Sequence, residues 1–293
     1  MRKQFVKTVE SILEKDKKAV LILGDIGVFG FKKAFELFPD RVFNIGILEQ
    51  STVGLAAGLS MQGLIPIIHT IAPFLVERSM EQLKDDFGYQ KLGGNFVSVG
   101  ASYDYAALGC THHCPGDVGM LKNIPNMEIV LPGTAKEFDI LFRESYANGH
   151  PTYYRLSEKT NSNNYPVKFG KAEIIKKGKK ATIIAVGHML ELAMMAAEGL
   201  DVTILYYTAV IPFDKKTLKE NSESGKILLC EPYYKGALLL EILEALPSIP
   251  LLLESIGVPM QMLTNYGTAS EHDESIGFTY KNIRKKLLRL IKQ

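Results

Sequence analysis

Apolar runs of strand length alternate with amphipathic segments of helix length along the whole chain. This alternation predicts parallel sheets covered by helices, because strands buried on both faces read as continuous Val/Ile/Leu runs and parallel neighbours need a crossover between them. In the first half, AVLIL, VFNI, PIIH, FVSVG, MEIVL and TYYRL predict strands, with helices near 2–15, 30–38, 49–61, 74–90 and 134–148. The stretch SEKTNSNNYP then interrupts the pattern, and its Ser, Asn and Pro content predicts a linker. A second series follows, with strands at AEII, ATIIAV, VTILYY, KILLC and PLLLES and helices near 189–199, 215–222, 236–246 and 279–291. The seam lies close to 160–168, which divides the chain into two doubly wound α/β domains, 1–162 and 163–293.

Composition narrows the picture by exclusion. With 293 residues, 46% of them hydrophobic, the chain is long enough for two cores of ordinary size. Its 34 Lys and Arg are interspersed with 32 Asp and Glu, so no broad basic field for nucleic acid is expected. The basic tail KNIRKKLLRLIKQ spaces Ile283, Leu287, Leu288 and Ile291 as a docked helix does. The start, MRKQFVKTVESILEKDKK, has no continuous apolar core, so neither a signal peptide nor a membrane anchor is expected. Three cysteines without an export signal fit reduced thiols in the cytoplasm.

Candidate chemistry gathers in GCTHHCPGD, where Cys110, His112, His113 and Cys114 lie within five residues. Zinc takes such ligands, but four on one short loop surround an ion poorly, and no second Cys/His cluster exists to complete a site. No metal site is predicted; a loop with two buried thiols remains an open reading. Gly-rich turns follow three strands, at LGDIGVFG, NIGILEQ and GASYDYAALGCTHH, on the edge of a parallel sheet where ligands bind. None has the dinucleotide spacing or a Walker lysine, and turn glycines alone are ordinary strand-to-helix geometry.

The run FPDRVFNIGILEQSTVGLAAGLSMQGLIPIIH resembles the pyrimidine-binding domain of the transketolase family of thiamine diphosphate enzymes, which includes 1-deoxyxylulose-5-phosphate synthase. There an F-P-D-R-x-F strand leads into G-I-x-E-Q and a helix of small residues, A-A-G-L-A-x-x-G. GCTHHCPGDVGMLKNIPNMEIVLPG is similar to the family's G-x-T-H-x segment followed by L-R-x-I-P-N-M, and IGVPMQMLTNYGTASEHDESIGFTYKNI to its closing I-G-x-P … G-T … E pattern. The resemblance therefore covers most of the chain and implies a pyrimidine-binding fold followed by a transketolase C-terminal-type domain.

The family's glutamate position falls on Glu49. A carboxylate against the pyrimidine ring exchanges the proton that shifts the cofactor's aminopyrimidine to its imino form, so the resemblance makes Glu49 catalytic. Without the flanking GILEQ and AAGL, a helix first-turn charge would be the better account. Phe74 in HTIAPFLVERSMEQ is the expected aromatic face for the pyrimidine, against the alternative of core packing, and Asp25 and Ile47 are expected beside the cofactor. The resemblance makes His112 a substrate-facing, catalytic histidine. His69, with a core or capping role as its alternative, and Arg155, with a structural role as its alternative, are further substrate candidates.

Two absences shape the functional expectation. The family holds the diphosphate through Mg2+ with G-D-G and a later Asn on a preceding domain; PGDVG at 115–119 has Val in third place and does not serve. The resemblance thus implies a split enzyme, a heterotetramer in which an N-terminal subunit carries the diphosphate and magnesium site. Secondly, Leu108 stands where transketolases place a sugar-reading aspartate, Glu158 where they place a phosphate-clamping arginine, and the first-loop serine is replaced near Phe29. A carboxylate cannot replace a guanidinium fork, so the expected transfer of a ketol unit uses a sugar without the standard phosphate clamp, a nucleotide-linked sugar or a small 2-keto acid. The alternatives are the β subunit of a 2-oxoacid dehydrogenase or decarboxylase, and a non-catalytic scaffold.

Overall fold

The computed structural model describes all 293 residues. The first unit opens with α1 (Arg2–Lys15), whose Phe5, Val9, Ile12 and Leu13 make a buried stripe at helical spacing, and with β1 (Ala19–Leu23), buried at every position. Then come α2 (Lys32–Leu37), β2 (Val42–Asn44), α3 (Glu49–Met61), β3 (Ile65–Ile71), α4 (Ala72–Val76), α5 (Met80–Gln82), β4 (Gly94–Val99), α6 (Asp117–Leu121), β5 (Glu128–Val130), α7 (Ala135–Ser145) and β6 (Pro151–Arg155). The second unit begins with β7 (Ala172–Lys176), β8 (Thr182–Val186), α8 (Met189–Ala196), β9 (Thr203–Tyr207), β10 (Ala209–Ile211) and α9 (Lys215–Glu220). It ends with β11 (Lys226–Tyr234), α10 (Leu239–Ala245), β12 (Leu252–Val258), α11 (Ala269–Ile276) and α12 (Tyr280–Lys292).

The strands form a seven-stranded sheet, ordered β10-β5-β6-β4-β3-β1-β2, and a five-stranded sheet, ordered β12-β11-β8-β9-β7. Neighbours run parallel except at one edge of each sheet, where β10 meets β5 and β7 meets β9 antiparallel. This is the expected pair of doubly wound α/β sheets, with one exchange between them. β10 belongs by chain order to the second unit and completes the first unit's sheet. The helix expected over 74–90 is broken: α4 and α5 are separated, and Leu83–Tyr89 continues as π-helical turns. Two elements had no signature in the apolar pattern. β10 follows directly on the VTILYY run and reads as its continuation, and α11, ASEHDESI, buries only His272.

The seam is stitched by buried polar groups. Thr134 and Glu137 form a capping box at the start of α7, satisfying backbone donors that the helix itself cannot. The buried Glu137 carboxylate also accepts from Tyr165 N in the linker at 3.1 Å and from Tyr206 Oη in β9 at 2.7 Å. Linker Asn161 donates to Gly187 O at 3.2 Å, just beyond β8. Deepest of all, Asp117 Oδ2 accepts from Arg155 Nε at 2.6 Å and from Tyr153 Oη at 2.9 Å, with both charged side chains essentially inaccessible. Arg155 Nη2 reaches Ser102 Oγ at 2.6 Å, and that hydroxyl donates to Pro232 O in β11.

Removing one member of a buried pair leaves the other charged and unsolvated, at a cost of about 3–5 kcal/mol. Asp117→Ala should lower stability by roughly that amount in urea unfolding monitored by circular dichroism. A change of a few tenths would show that the pair is not sealed from water.

Candidate functional site

The loops at the carboxyl edge of the first sheet carry most of the residues singled out above, as expected of an open parallel sheet. α3 starts at Glu49, five residues after β2 ends, and the position at the helix start is electrostatically suited to an acid. The Glu49 side chain is only 2% exposed; Oε2 accepts from Arg78 Nη1 at 2.6 Å, while Oε1 is buried without a partner. The Arg78 guanidinium carbon lies 4.2 Å from the centre of the Phe74 ring, and the His112 ring meets Phe74 edge-on at 5.3 Å. Glu49, Arg78, Phe74 and His112 thus form a continuous row drawn from the loops after β2, β3 and β4.

Asp25 and Ile47 lie exposed on the turns after β1 and β2. Asp25 holds a positive φ of 65°, and its N–H donates to Asn44 Oδ1 at 2.9 Å, joining the turn after β1 to the turn that leads into Glu49. Ile47 is 65% exposed, two residues ahead of Glu49. Gly27, at φ +89°, has no room for a side chain: a Cβ there would meet the His69 ring at 2.9 Å.

His69 and Arg155 are not brought to this surface. β3 continues to Ile71, so His69 lies within the strand, its Nδ1 is 2.8 Å from Val97 O, and its ring packs 4.5 Å from that of Phe5. Burial lowers its pKa to about 4, so it is neutral at ordinary pH. Arg155 is held beneath the loops by Asp117, as described above, and its neighbouring carboxylate pushes the guanidinium pKa up.

The GCTHHC loop divides its side chains. His112 stays at the row with Phe74, whereas His113 turns inward beside Tyr103 and His272, with its Nε2 buried and unpartnered. Cys110 is exposed and Cys114 buried, its thiol pKa raised well above the ordinary value by burial, and no group of three or more His, Cys, Asp or Glu is arranged to hold a metal ion. Sequence reasoning missed Arg78 as a site residue, although it lies four residues beyond Phe74, a spacing that brings side chains together on one helical face. It also missed Arg2 and Lys3 of α1, which line a cleft of about 340 Å³ together with Gly100, Ser157 and Glu158.

A buried carboxylate with one unpartnered oxygen, joined through Arg78 to an aromatic face, has chemistry that fits an aminopyrimidine: an oxygen for a ring nitrogen and a flat apolar surface for the ring. Residues 1–162 match the model "Transketolase, pyrimidine binding domain" and residues 170–283 match "Transketolase, C-terminal domain". An uncharacterized 33.6 kDa protein in the fasciation locus of Rhodococcoides fascians is 37% identical over 97% of this chain and 92% of its own length. One of the subunits of the apulose-4-phosphate transketolase of Phocaeicola vulgatus is 28% identical over 100% of this chain and 97% of its own length. Among solved structures, a split gene transketolase described as an inactive beta4 tetramer superposes with TM-score 0.87 at 24% identity, covering 99% of this chain and 97% of that one, which shows a shared fold. No helix is long and apolar enough to cross a membrane.

His69 generates a pH prediction. The unfolded chain binds a proton at this residue below its ordinary value of about 6.5, and the folded chain only below about 4. Its contribution is therefore complete above pH 6.5 and is lost as pH falls from 6.5 toward 4. Urea unfolding at pH 7 and pH 4 should show a His69→Gln variant losing less stability than the wild type over this interval, by on the order of 3 kcal/mol. Parallel losses in the two proteins would show that His69 is reached by solvent.

Proposed function

The chain belongs to the transketolase family, and on that premise we propose that it is the pyrimidine-binding subunit of a split, thiamine diphosphate-dependent transketolase. The observation that carries this reading is the buried Glu49 carboxylate, with Oε1 unpartnered and Oε2 linked through Arg78 to the Phe74 ring that His112 meets. In the proposed complex, thiamine diphosphate supplies a nucleophilic carbon on its thiazolium ring. The Glu49 carboxylate, buried at the start of its helix, would take and return the proton at the pyrimidine nitrogen. Phe74 supplies the flat face, and His112, partly exposed at the edge of that ring, is placed to hydrogen-bond the substrate as it reacts.

The diphosphate and its Mg2+ are assigned to an N-terminal partner subunit, and the active unit is a heterotetramer in the cytoplasm. The apulose-4-phosphate enzyme supports the split arrangement, since this chain spans 97% of the length of the subunit it matches. The ketol unit is proposed to move between sugars without the family's arginine clamp, because the resemblance puts Glu158 at that position; Glu158 lines a cleft together with Arg2 and Lys3.

Two measurements test the reading. In the reconstituted complex, Glu49→Gln keeps one acceptor but cannot exchange the proton, and should lower turnover about a hundredfold or more with little change in thermal stability. Near-normal turnover would remove the central residue of the assignment. Calorimetry on the isolated chain should find only weak, magnesium-insensitive binding of thiamine diphosphate; tight magnesium-dependent binding would overturn the division between subunits.

A further inference from the structure

Arg78 occupies the space that the proposed function reserves for the cofactor's ring. Its planar, cationic guanidinium lies 4.2 Å from the centre of the Phe74 ring while one of its N–H groups donates to Glu49 Oε2 at 2.6 Å. An aminopyrimidine on the same two residues would make the same pair of contacts, a flat stack on Phe74 and a hydrogen bond to the Glu49 carboxylate. A third flat group cannot be inserted into the existing contact, because two successive stacks need roughly twice the centroid separation of one cation–π pair. Ring and guanidinium therefore exclude each other from this face of Phe74.

The two ends of the ion pair differ in freedom. The Glu49 side chain is 2% exposed and fixed in the first turn of α3, whereas Arg78 is 41% exposed and lies in the break between α4 and α5. Arg78 can leave toward solvent at modest cost, since a half-exposed cation recovers most of its hydration. Glu49 cannot follow, and a buried carboxylate without a partner is costly. Departure of Arg78 is therefore favourable only when another donor takes its place at Glu49.

We propose that Arg78 is a placeholder for the aminopyrimidine: it keeps Glu49 paired and Phe74 covered in the free chain, and it is exchanged for the cofactor's ring on binding, so that it sets cofactor affinity by competition. This rests on the thiamine reading of the site and adds to it a residue whose displacement is part of binding. It gives Glu49 a partner in both states and excludes flat cations that cannot also satisfy the carboxylate.

The test uses the full chain and thiamine, which lacks the diphosphate, with calorimetry as the readout. Arg78→Ala should bind thiamine about 3- to 30-fold more tightly than the wild type, the range expected when one cation–π contact and one exposed ion pair no longer compete. Arg78→Lys keeps a charge near Glu49 but has no planar face for Phe74, so it guards against loss of folding in the alanine variant and should fall between the two. Nitrogen-15 NMR of the guanidinium should show Arg78 restrained in the free wild type and released as thiamine is added. Equal or weaker binding by the variants, or a guanidinium that becomes more restrained with thiamine, would make Arg78 an ordinary ligand and overturn the exchange alone. Absence of thiamine binding by all three proteins would overturn the exchange, while the thiamine reading itself is decided separately by the turnover of Glu49→Gln in the reconstituted complex.

Discussion

The buried ion pair between Asp117 and Arg155 is the fixed point from which the rest of the molecule is arranged. It joins the last residue of β6 to the first of α6, and through Ser102 it reaches the backbone of β11 in the other sheet. Ser102 in turn belongs to the segment that pairs with Cys114 as an isolated bridge, so the ends of the loop carrying Cys110 and His112 are held from below. A pair this deep is weak evidence of net stability, because desolvating both charges offsets much of their attraction. Its contribution lies in selectivity: any packing of the two units that separates these groups strands a charge.

That arrangement also accounts for the asymmetry between the two sheets. Strand order in the five-stranded sheet reverses between β8 and β11, the place where an open parallel sheet ordinarily receives a ligand. Here the first unit fills it. Asn161 bonds to Gly187 O beyond β8, Ser102 bonds to Pro232 O, and Tyr234 N donates to Pro115 O at 2.9 Å. The second unit gives its binding crevice to its neighbour and acts as a buttress under the loops of the first, whose carboxyl edge retains the row from Glu49 to His112.

Much of this was legible in the residue order, for reasons that differ by element. Strands such as β1 and β8 are buried at every position, and burial on both faces leaves an uninterrupted apolar run. Glu49 was recognisable because GILEQ and AAGL surround it; its burial and its unpartnered oxygen were not, since they depend on Arg78 and on the approach of a different loop. His69 and Arg155 illustrate the converse. Both stand near the carboxyl ends of strands, where chemistry is expected, yet one is absorbed by Val97 O and the Phe5 ring and the other by Asp117, contacts with residues far away in the chain. Polar residues at strand ends have two possible destinations, and only the packing of distant segments decides between them.

β10 carries a consequence for the newly made chain. β5 is an edge until Ala209–Ile211 arrives, and an exposed edge invites pairing with other chains. Those residues are synthesised some 54 positions after β6 has joined β5 to the sheet, a delay of roughly 3–11 s at ribosomal rates of about 5–20 residues per second. During that interval the first sheet, with all of its candidate catalytic loops already made, waits on the ribosome with one side open. Codon usage and chaperone access over residues 156–208 therefore bear on the yield of a protein whose proposed chemistry resides largely in the part already made.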